Sequence, residues 1–148
     1  MGKFLIREFQ IDDYDDALSL WQLTEGIGLG DSDTREGISF FLERNPGLSF
    51  VITVDDRLIG AVLCGHDGRR GYLHHLAIAA PYRGKGLGKT LAEACLSALG
   101  NRGIRKCNIF VYARNREAKD FWEHHNWQPR NDLEVLQKPT ADDAGAPH

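Results

Sequence analysis

The stretch of sequence that decides the fold is Leu76-Ala77-Ile78-Ala79-Ala80-Pro81-Tyr82-Arg83-Gly84-Lys85-Gly86-Leu87-Gly88-Lys89-Thr90. Its apolar start predicts the end of a β-strand, and its middle is a loop that combines glycines with cations. The apolar spacing that follows predicts a helix that begins near Gly86. The first N–H groups of a helix have no partners inside the helix, and glycine lets a ligand approach the backbone closely. The stretch therefore predicts a binding site for phosphate oxygens.

Two other phosphate-binding motifs are similar to this loop, and neither is complete. A Walker loop that ends in Gly88-Lys89-Thr90 would need its first glycine at the position of Arg83. A dinucleotide-binding fingerprint that uses Gly84 and Gly86 would need its last glycine at the position of Lys89. A P-loop nucleotide-binding protein is therefore the weakest of the alternatives that the sequence leaves open.

Over the whole chain, the hydrophobic patterns predict the element order βααβββαβαβ. The predicted strands cover residues 4–9, 48–54, 58–64, 72–78, 106–112 and 133–136, and the predicted helices begin near residues 12, 33, 86 and 118. Strands in hairpins, followed by strands that alternate with helices, predict an α/β (α+β) fold with a mixed sheet and helices on both faces. Residues 1–138 are expected to form a single domain, and residues 139–148 a disordered tail.

The composition is that of one folded domain and does not indicate a partner such as nucleic acid or a membrane. The chain has 148 residues, of which 42% are hydrophobic and 26% charged, and its formal net charge is −3. A nucleic-acid-binding protein would carry a broad basic surface, and a membrane span would need about 20 consecutive apolar residues. The start of the chain lacks the apolar stretch of a signal peptide, so we expect a cytoplasmic protein.

The cysteines and histidines do not indicate a metal site. Cys64, Cys95 and Cys107 lie in apolar segments without a Cys-x-x-Cys pair, and they are expected to be buried free thiols. The histidines include two adjacent pairs, and neighbouring side chains on a strand or a helix point in different directions. Neither pair is therefore expected to chelate one ion.

The glycine loop also matches the pattern Arg/Gln-x-x-Gly-x-Gly/Ala, as Arg83-Gly84-Lys85-Gly86-Leu87-Gly88. The strand Leu76-Ala77-Ile78 precedes it, and the motif Asn115-x-x-Ala118-x-x-Phe121-Trp122 follows on a later helix. On these motifs, the sequence from Phe4 to Lys138 resembles the GNAT superfamily of N-acetyltransferases. The run Gly-x-Asp-Gly-Arg-Arg-Gly before the strand is similar to the small bacterial acetyltransferases of the YpeA type.

The resemblance implies a fold and a reaction. The fold would be a mostly antiparallel central sheet of six to seven strands, with helices on both faces and splayed central strands. The reaction would move an acetyl group from acetyl-CoA to a primary amine by direct attack in a ternary complex. The amine could belong to a small molecule, an amino acid or a protein N-terminus. No metal is implied, and a homodimer stays open because family members are often dimers.

The resemblance also implies which positions bind acetyl-CoA. The backbone of the splayed strand would pair with the pantetheine amides at Leu76, Ala77 and Ile78. The backbone N–H groups of the loop would hold the pyrophosphate at Arg83, Gly84, Lys85, Gly86, Leu87, Gly88 and Lys89. The residues expected beside the pantetheine arm and the adenine are Asn115, Ala118 and Phe121. For these three, a helix cap (the asparagine) and core packing (the other two) are the alternatives.

The general acid is the point at which the sequence departs from the family. The family usually protonates the departing thiolate with a tyrosine at the position that Trp122 occupies here. Tryptophan cannot supply that proton. Three outcomes stay open: the thiolate leaves unprotonated, Tyr112 or Tyr82 supplies the proton, or the protein binds acyl-CoA with little turnover.

His74 is the candidate general base. Alternation along the strand places Tyr72, His74 and Leu76 on one face and His75 on the other, where we expect it to serve packing. Some amine acetyltransferases place histidines on this strand, and here His74 and Tyr72 stand at the two matching positions. A histidine with a pKa near ~6.5 is mostly neutral at pH 7 and can accept a proton, directly or through water. The alternative for His74 is a histidine that is only hydrogen-bonded within the sheet.

The acceptor site would be walled by the first two helices and the segment between them. That region, residues 21–35, carries the charged side chains Glu25, Asp31, Asp33 and Arg35. Asp33 is also expected to cap the second helix. The turn at Asp67, Arg69 and Arg70 would lie at the edge of the same cleft, where we expect the arginines mainly to be solvated.

Overall fold

The computed structural model describes residues 2–141. Within this range the chain forms five β-strands and four α-helices. The strands are β1 (Phe4–Glu8), β2 (Phe50–Val54), β3 (Arg57–His66), β4 (Gly71–Ile78) and β5 (Cys107–Ile109). The helices are α1 (Tyr14–Gln22), α2 (Arg35–Arg44), α3 (Leu87–Gly100) and α4 (Arg116–His124). None of these helices combines the length and the apolar character that crossing a membrane requires.

The strands form one sheet in the order β1-β2-β3-β4-β5. Neighbouring strands are antiparallel, except that β5 runs parallel to β4. A parallel pair needs a crossover connection, and α3 provides it. The hairpin between β2 and β3 turns at Asp55 and Asp56, whose φ angles of 49° and 62° suit the primed turns that join antiparallel strands. The predicted mixed, mostly antiparallel sheet is confirmed.

Each face of the sheet carries its own hydrophobic core. On the α3–α4 face, the largest contributions come from Ile52, Leu73, Leu91, Leu99 and Trp122. On the α1–α2 face they come from Trp21, Ile38, Val51 and Leu63. Val51 and Ile52 are neighbours on β2 and pack on opposite sides, as the alternation of a strand requires. Helices therefore cover both faces, as predicted.

The predicted strand over residues 133–136 is wrong, and the sheet has five strands rather than six to seven. Leu133, Val135 and Leu136 are 60%, 64% and 93% exposed. A strand needs a neighbouring edge for its backbone groups, and within residues 2–141 no ladder joins this segment to the sheet. Of the predicted tail, residues 142–148 lie outside the described residues.

The three cysteines are free thiols, as predicted. Cys64 and Cys95 are fully buried on the α3–α4 face, and Cys107 packs half-buried against the same core. Burial raises the pKa of the Cys107 thiol to about 12. Contact with the Cys64 thiol, together with burial, also raises the pKa of Cys95. Cys95 and Cys107 therefore stay protonated at neutral pH and lack the thiolate that a nucleophile needs.

Candidate active site

The glycine loop leads directly into α3. Gly84 and Gly86 have φ angles of +80° and +81°, in the left-handed region that glycine adopts without strain, and Gly86 is the residue that caps α3. A Cβ atom at either glycine would meet no atom within 4 Å. These two glycines are therefore needed for the backbone conformation, and they leave the space above the loop open.

The backbone N–H groups from Gly84 to Lys89 are the candidate hydrogen-bond donors of this loop. Within residues 2–141, none of them donates to a protein acceptor, and the first N–H bond of α3 runs from Thr90 to the Gly86 carbonyl at 3.1 Å. Consecutive unpaired N–H groups at a helix N-terminus favour an anion with several oxygens. The loop has the donors that a diphosphate requires.

The cations of the loop contribute less than its backbone. The Arg83 guanidinium donates through Nε to the Ile78 carbonyl at 2.8 Å, so it lies against the end of β4. Lys85 is exposed, and Lys89 approaches Glu93 at 3.9 Å with both side chains more than half exposed. Exposed ion pairs are worth about 0–1 kcal/mol. Binding at this loop would therefore depend mainly on the N–H groups.

Strands β4 and β5 separate beside the loop. Their pairing covers Gly71 to Leu73 on β4, ends at Leu73 opposite Ile109, and leaves residues 74–78 paired with β3 alone. The predicted splay is present, and it leaves one side of the β4 backbone without a partner strand. Leu76 borders this opening and also approaches Gly88, where a Cβ atom would lie 3.5 Å from Leu76 Cδ2.

The third glycine of the loop has a packing role. A Cβ atom at Gly88 would lie 3.2 Å from Phe121 Cζ, which is closer than most real contacts. Gly88 is buried, and Phe121 and Ala118 pack partly buried against the same core. The structure thus brings Leu76, Gly88 and Phe121 together where α3 and α4 meet the open edge of β4.

Asn115 caps α4. Its side-chain oxygen accepts from the N–H of Ala118 at 3.0 Å, which is the alternative that the sequence offered for this residue. Its amide nitrogen lies against Gly26 in the segment between α1 and α2, where a Cβ atom would collide with it. The hydroxyl of Tyr112 lies against Gly28 in the same segment. The region after β5 therefore packs on the loop that was predicted to wall the acceptor site.

Trp122 and the two candidate acids, Tyr82 and Tyr112, lie in different environments. Trp122 is only 7% exposed and stacks edge-on against Phe121 and Trp127 in the core. The Tyr82 hydroxyl accepts from Arg57 at 3.1 Å, and its ring contacts the edge strand at Phe4. Tyr112 is 44% exposed. Of the three, only Tyr112 adjoins the α1–α2 segment.

A β-bulge interrupts β4 at His75. Ala77 pairs with Ala61 and His74 with Leu63, so that His75 and Leu76 together stand opposite a single residue of β3. His75 has a φ angle of +56°. A non-glycine residue in this region costs roughly 1–3 kcal/mol, which the surrounding contacts must offset.

The bulge overturns the predicted alternation. Trp21 lies on the α1–α2 face and packs edge-on against the ring of His75, with 5.1 Å between the ring centroids. His74 and His75 line the same cleft. Leu76 instead packs on the α3–α4 face. The prediction that Leu76 shares a face with His74, and that His75 faces away, is therefore wrong, because the extra residue shifts the alternation by one position.

His75 is part of a polar network that the sequence did not indicate. Its Nε2 lies 2.9 Å from Asp33 Oδ1, and its carbonyl accepts from Trp21 Nε1 at 2.8 Å. Asp33 Oδ2 accepts from the N–H of Gly30 at 2.9 Å. The side chains of Asp33 and His75 are only 10% and 16% exposed. The prediction that Asp33 caps α2 is wrong, because Thr34 does so by accepting from the N–H of Gly37 at 3.0 Å.

A cleft of about 580 Å³ opens on the α1–α2 face. It lies between α2 and the adjoining ends of β3 and β4, and its walls include Phe40, Phe41, Arg44, Tyr72, His74 and His75. The ring of Phe41 packs edge-on against the ring of His74, with 5.9 Å between the ring centroids. Burial lowers the pKa of His74, the nearby His75 lowers it further, and Asp33 partly opposes the shift. His74 is therefore neutral at pH 7 and able to accept a proton.

The remaining charged candidates are not directed into this cleft. Glu25 and Asp31 are exposed, and Arg35 pairs with Asp15 at 3.5 Å. Asp67 borders the cleft, but its carboxylate accepts from the N–H groups of the two following arginines, Arg69 and Arg70, at 2.8 Å each. These bonds lower the pKa of Asp67 and make it part of the turn. The arginines thus lie in an exposed or half-exposed turn, as expected.

Comparison with known proteins identifies the family. A profile of the Acetyltransferase (GNAT) family matches residues 14–127. An acetyltransferase of Sodalis glossinidius is 27% identical over 138 residues, which are 93% of this chain and 96% of that protein. N-alpha-acetyltransferase 30 of Schizosaccharomyces pombe is 37% identical over 89 residues, which are 57% of this chain and 59% of that protein. The crystal structure of PaiA N-acetyltransferase from Thermoplasma acidophilum in complex with coenzyme A matches with a TM-score of 0.73 at 21% identity, over 83% of this chain and 88% of that one. The chain therefore belongs to the GNAT family of acetyltransferases.

Proposed function

We propose that this protein transfers an acetyl group from acetyl-CoA to a primary amine within a ternary complex. The observation that carries the proposal is the loop from Gly84 to Lys89, whose unpaired N–H groups adjoin the opening between β4 and β5. The pairing of β4 with β5 ends at Leu73, next to His74, which lines the cleft on the α1–α2 face. A related fold in complex with coenzyme A supports the choice of cofactor.

In this proposal, acetyl-CoA lies along the open edge of β4. The pyrophosphate binds the N–H groups of the loop, and the pantetheine amides lie along Leu76, Ala77 and Ile78 on the open side of β4, where the Ile78 carbonyl also accepts from Arg83 Nε. Phe121, Ala118 and the cap of α4 at Asn115 border the arm, because they adjoin Gly88 and the start of α4. The thioester then lies at the point of the splay, next to His74.

The reaction needs a neutral amine, and an amine with a pKa of about 8 to 10 is mostly protonated at pH 7. His74 takes a proton from the ammonium, directly or through water. The freed nitrogen lone pair attacks the thioester carbon, and the carbonyl π electrons move to oxygen. The attacking nitrogen then carries a positive charge and releases its second proton to water. When the tetrahedral intermediate collapses, the C–S bond breaks and CoA leaves as a thiolate. Tyr72 lines the cleft beside His74 and would orient the acceptor.

The departing thiolate does not require a strong acid. A thiol has a pKa near ~8.5, so the thiolate is a tolerable leaving group at neutral pH. Positioning of the two reactants alone can lower the activation barrier by about 7 kcal/mol. Tyr112 is the nearest candidate donor to the α1–α2 segment.

A second candidate function is a domain that binds acyl-CoA without efficient turnover. The observation that favours it is Trp122, which is buried in the core where the family usually has its acid. This candidate and the enzyme predict the same loop contacts. They differ in whether CoA is released when an amine is added.

A thermal-shift titration followed by a thiol-release assay tests the proposed function. At one hundred times the dissociation constant, a ligand stabilises the folded state by about 2.7 kcal/mol, which for a chain of this size raises Tm by about 5 °C or more. We expect this shift with acetyl-CoA and CoA but not with ATP and Mg²⁺. We then expect thiol release with at least one class in a panel of small amines, amino acids and peptides. A shift without thiol release would favour the binding domain, and no shift with CoA would refute both candidates.

Replacing Trp122 by tyrosine is expected not to raise kcat. The side chain lies in the core against Phe121 and Trp127, so a hydroxyl there would replace packed ring atoms. The loss of buried area should lower Tm by a few degrees. Steady-state CoA release and a melting curve measure both effects. An increase in kcat of tenfold would show that an acid at this position is catalytically accessible, with Trp122→Phe as the control that lacks the hydroxyl.

A further inference from the structure

The bulge at His75 directly follows His74 and changes the face on which the next residues of β4 lie. In a regular strand, His75 and Ala77 would face the same side as Leu73, which packs on the α3–α4 face. His74 lies on the α1–α2 face by the regular alternation before the bulge, and the extra residue places His75 and Ala77 on that face as well. Beyond the bulge, the strand continues into the open edge that leads to the glycine loop.

The bulge depends on contacts from outside the strand. His75 has a β-carbon and no intrinsic preference for its φ angle of +56°. Two hydrogen bonds tie the bulge to the α1–α2 layer, and a third holds Asp33 within that layer. Trp21 Nε1 donates to the His75 carbonyl, Asp33 holds the His75 ring, and the Tyr14 hydroxyl donates to the Asp33 carbonyl at 2.7 Å.

These bonds join β4 to the segment that was predicted to wall the acceptor site. Asp33 accepts from the N–H of Gly30 with the oxygen that does not contact His75. Trp21 is fully buried on α1 and also stacks on Phe9 at 6.0 Å. A change at Asp33 therefore reaches the bulge through His75, while the glycine loop lies beyond the end of β4.

We infer that Asp33 is a positioning residue for acetyl transfer: through its bond to His75 it holds the β4 bulge next to His74, and the bulge fixes the backbone from which His74 reaches into the acceptor cleft. Trp21 has the same role on the backbone side of the bulge. The inference rests on the proposed function, because it assigns the proton transfer to His74. It adds a residue from the α1–α2 segment that also lines the cleft and acts on His74 through the backbone of β4.

A double-mutant cycle separates positioning from direct participation. His75→Ala removes the tether and keeps the unfavourable backbone, whereas His75→Gly removes the tether and makes the positive φ angle intrinsically acceptable. We expect kcat to fall about tenfold more in His75→Ala than in His75→Gly, with the KM for acetyl-CoA unchanged in both. Asp33→Ala should lower kcat about tenfold in the wild-type background. In the His75→Gly background the same substitution should lower kcat by a factor that is at least five times smaller, which is about twofold or less.

Two outcomes would overturn the inference. If Asp33→Ala loses the same factor in both backgrounds, Asp33 acts independently of the bulge, for example on the acceptor amine. If His75→Gly is as impaired as His75→Ala, and the acid limb of its pH profile disappears, His75 is itself the base.

A measurement on the protein without substrates keeps the inference separate from the proposed function. The indole N–H of Trp21, assigned with Trp21→Phe, should exchange with solvent at least ten times faster in Asp33→Ala and His75→Ala than in the wild type or His75→Gly. Unchanged exchange in Asp33→Ala and His75→Ala would overturn the inference even if the enzyme is active. A protein that fails to bind CoA or release thiol would instead refute the proposed function.

Discussion

Gly86→Asp is expected to abolish measurable binding of acetyl-CoA, with a loss of about a hundredfold or more. The substitution places a carboxylate at the N-terminus of α3, in space that is open above the loop. It would repel the pyrophosphate, and charge-assisted contacts at such a site are among the stronger ones. Isothermal titration calorimetry with acetyl-CoA and CoA measures the effect.

Two matched variants separate this repulsion from backbone strain. Gly103 has the same kind of φ angle, +80°, and a Cβ atom there also meets nothing within 4 Å. Gly103→Asp should therefore cost similar stability and leave the affinity for acetyl-CoA within about twofold of the wild type. Gly86→Ala adds strain without charge, and we expect an intermediate loss. Retained affinity in Gly86→Asp would refute the assignment of the loop.

The glycine loop could be predicted from the sequence because its chemistry is local. Gly84 and Gly86 adopt the backbone angles that only glycine accepts readily, and the helix that follows begins where its apolar spacing begins. The family match over residues 14–127 supports the same stretch. The need for glycine at position 88 is not local. It arises because Phe121, on a helix that is distant in sequence, packs against the position where a side chain would lie.

The acceptor side could be predicted only in part. Tyr72 and His74 were placed correctly on one face, since the strand is regular up to that point. The bulge at His75 carries no glycine or proline that would signal it, and it depends on Trp21 and Asp33, which lie far away along the chain. Leu133 to Leu136 fails for the opposite reason: its alternation is typical of a strand, but the sequence does not show whether a neighbouring edge is present.

The glycine loop and the cleft should respond differently to mutation, because one depends on local backbone geometry and the other on contacts between distant segments. The loop is built from backbone groups whose geometry is set within a few residues, so its binding should tolerate most changes in the α1–α2 layer. The cleft is built from side chains on two layers that a partly buried Asp33–His75 contact joins. Changes in that layer should therefore alter the rate of transfer more than the affinity for CoA.

His74→Ala is expected to lower kcat/KM about a hundredfold at pH 7 and much less at pH 9, because general base catalysis typically contributes 10²–10⁴ and an α-amine with a pKa near ~8 is mostly neutral at the higher pH. Burial lowers the pKa of His74, so its neutral form persists below pH 6.5, and the acid limb of the wild-type profile should fall below that value. The same shift means that protonation of His74 destabilises the fold as the pH falls, and that this effect is absent above pH 6.5.

Initial rates of CoA release from pH 5 to 9 measure the profile. His66→Ala is the matched control, since His66 borders the same cleft at the end of β3, and its profile should follow that of the wild type. A His74→Ala profile that runs parallel to the wild type would exclude His74 as the base.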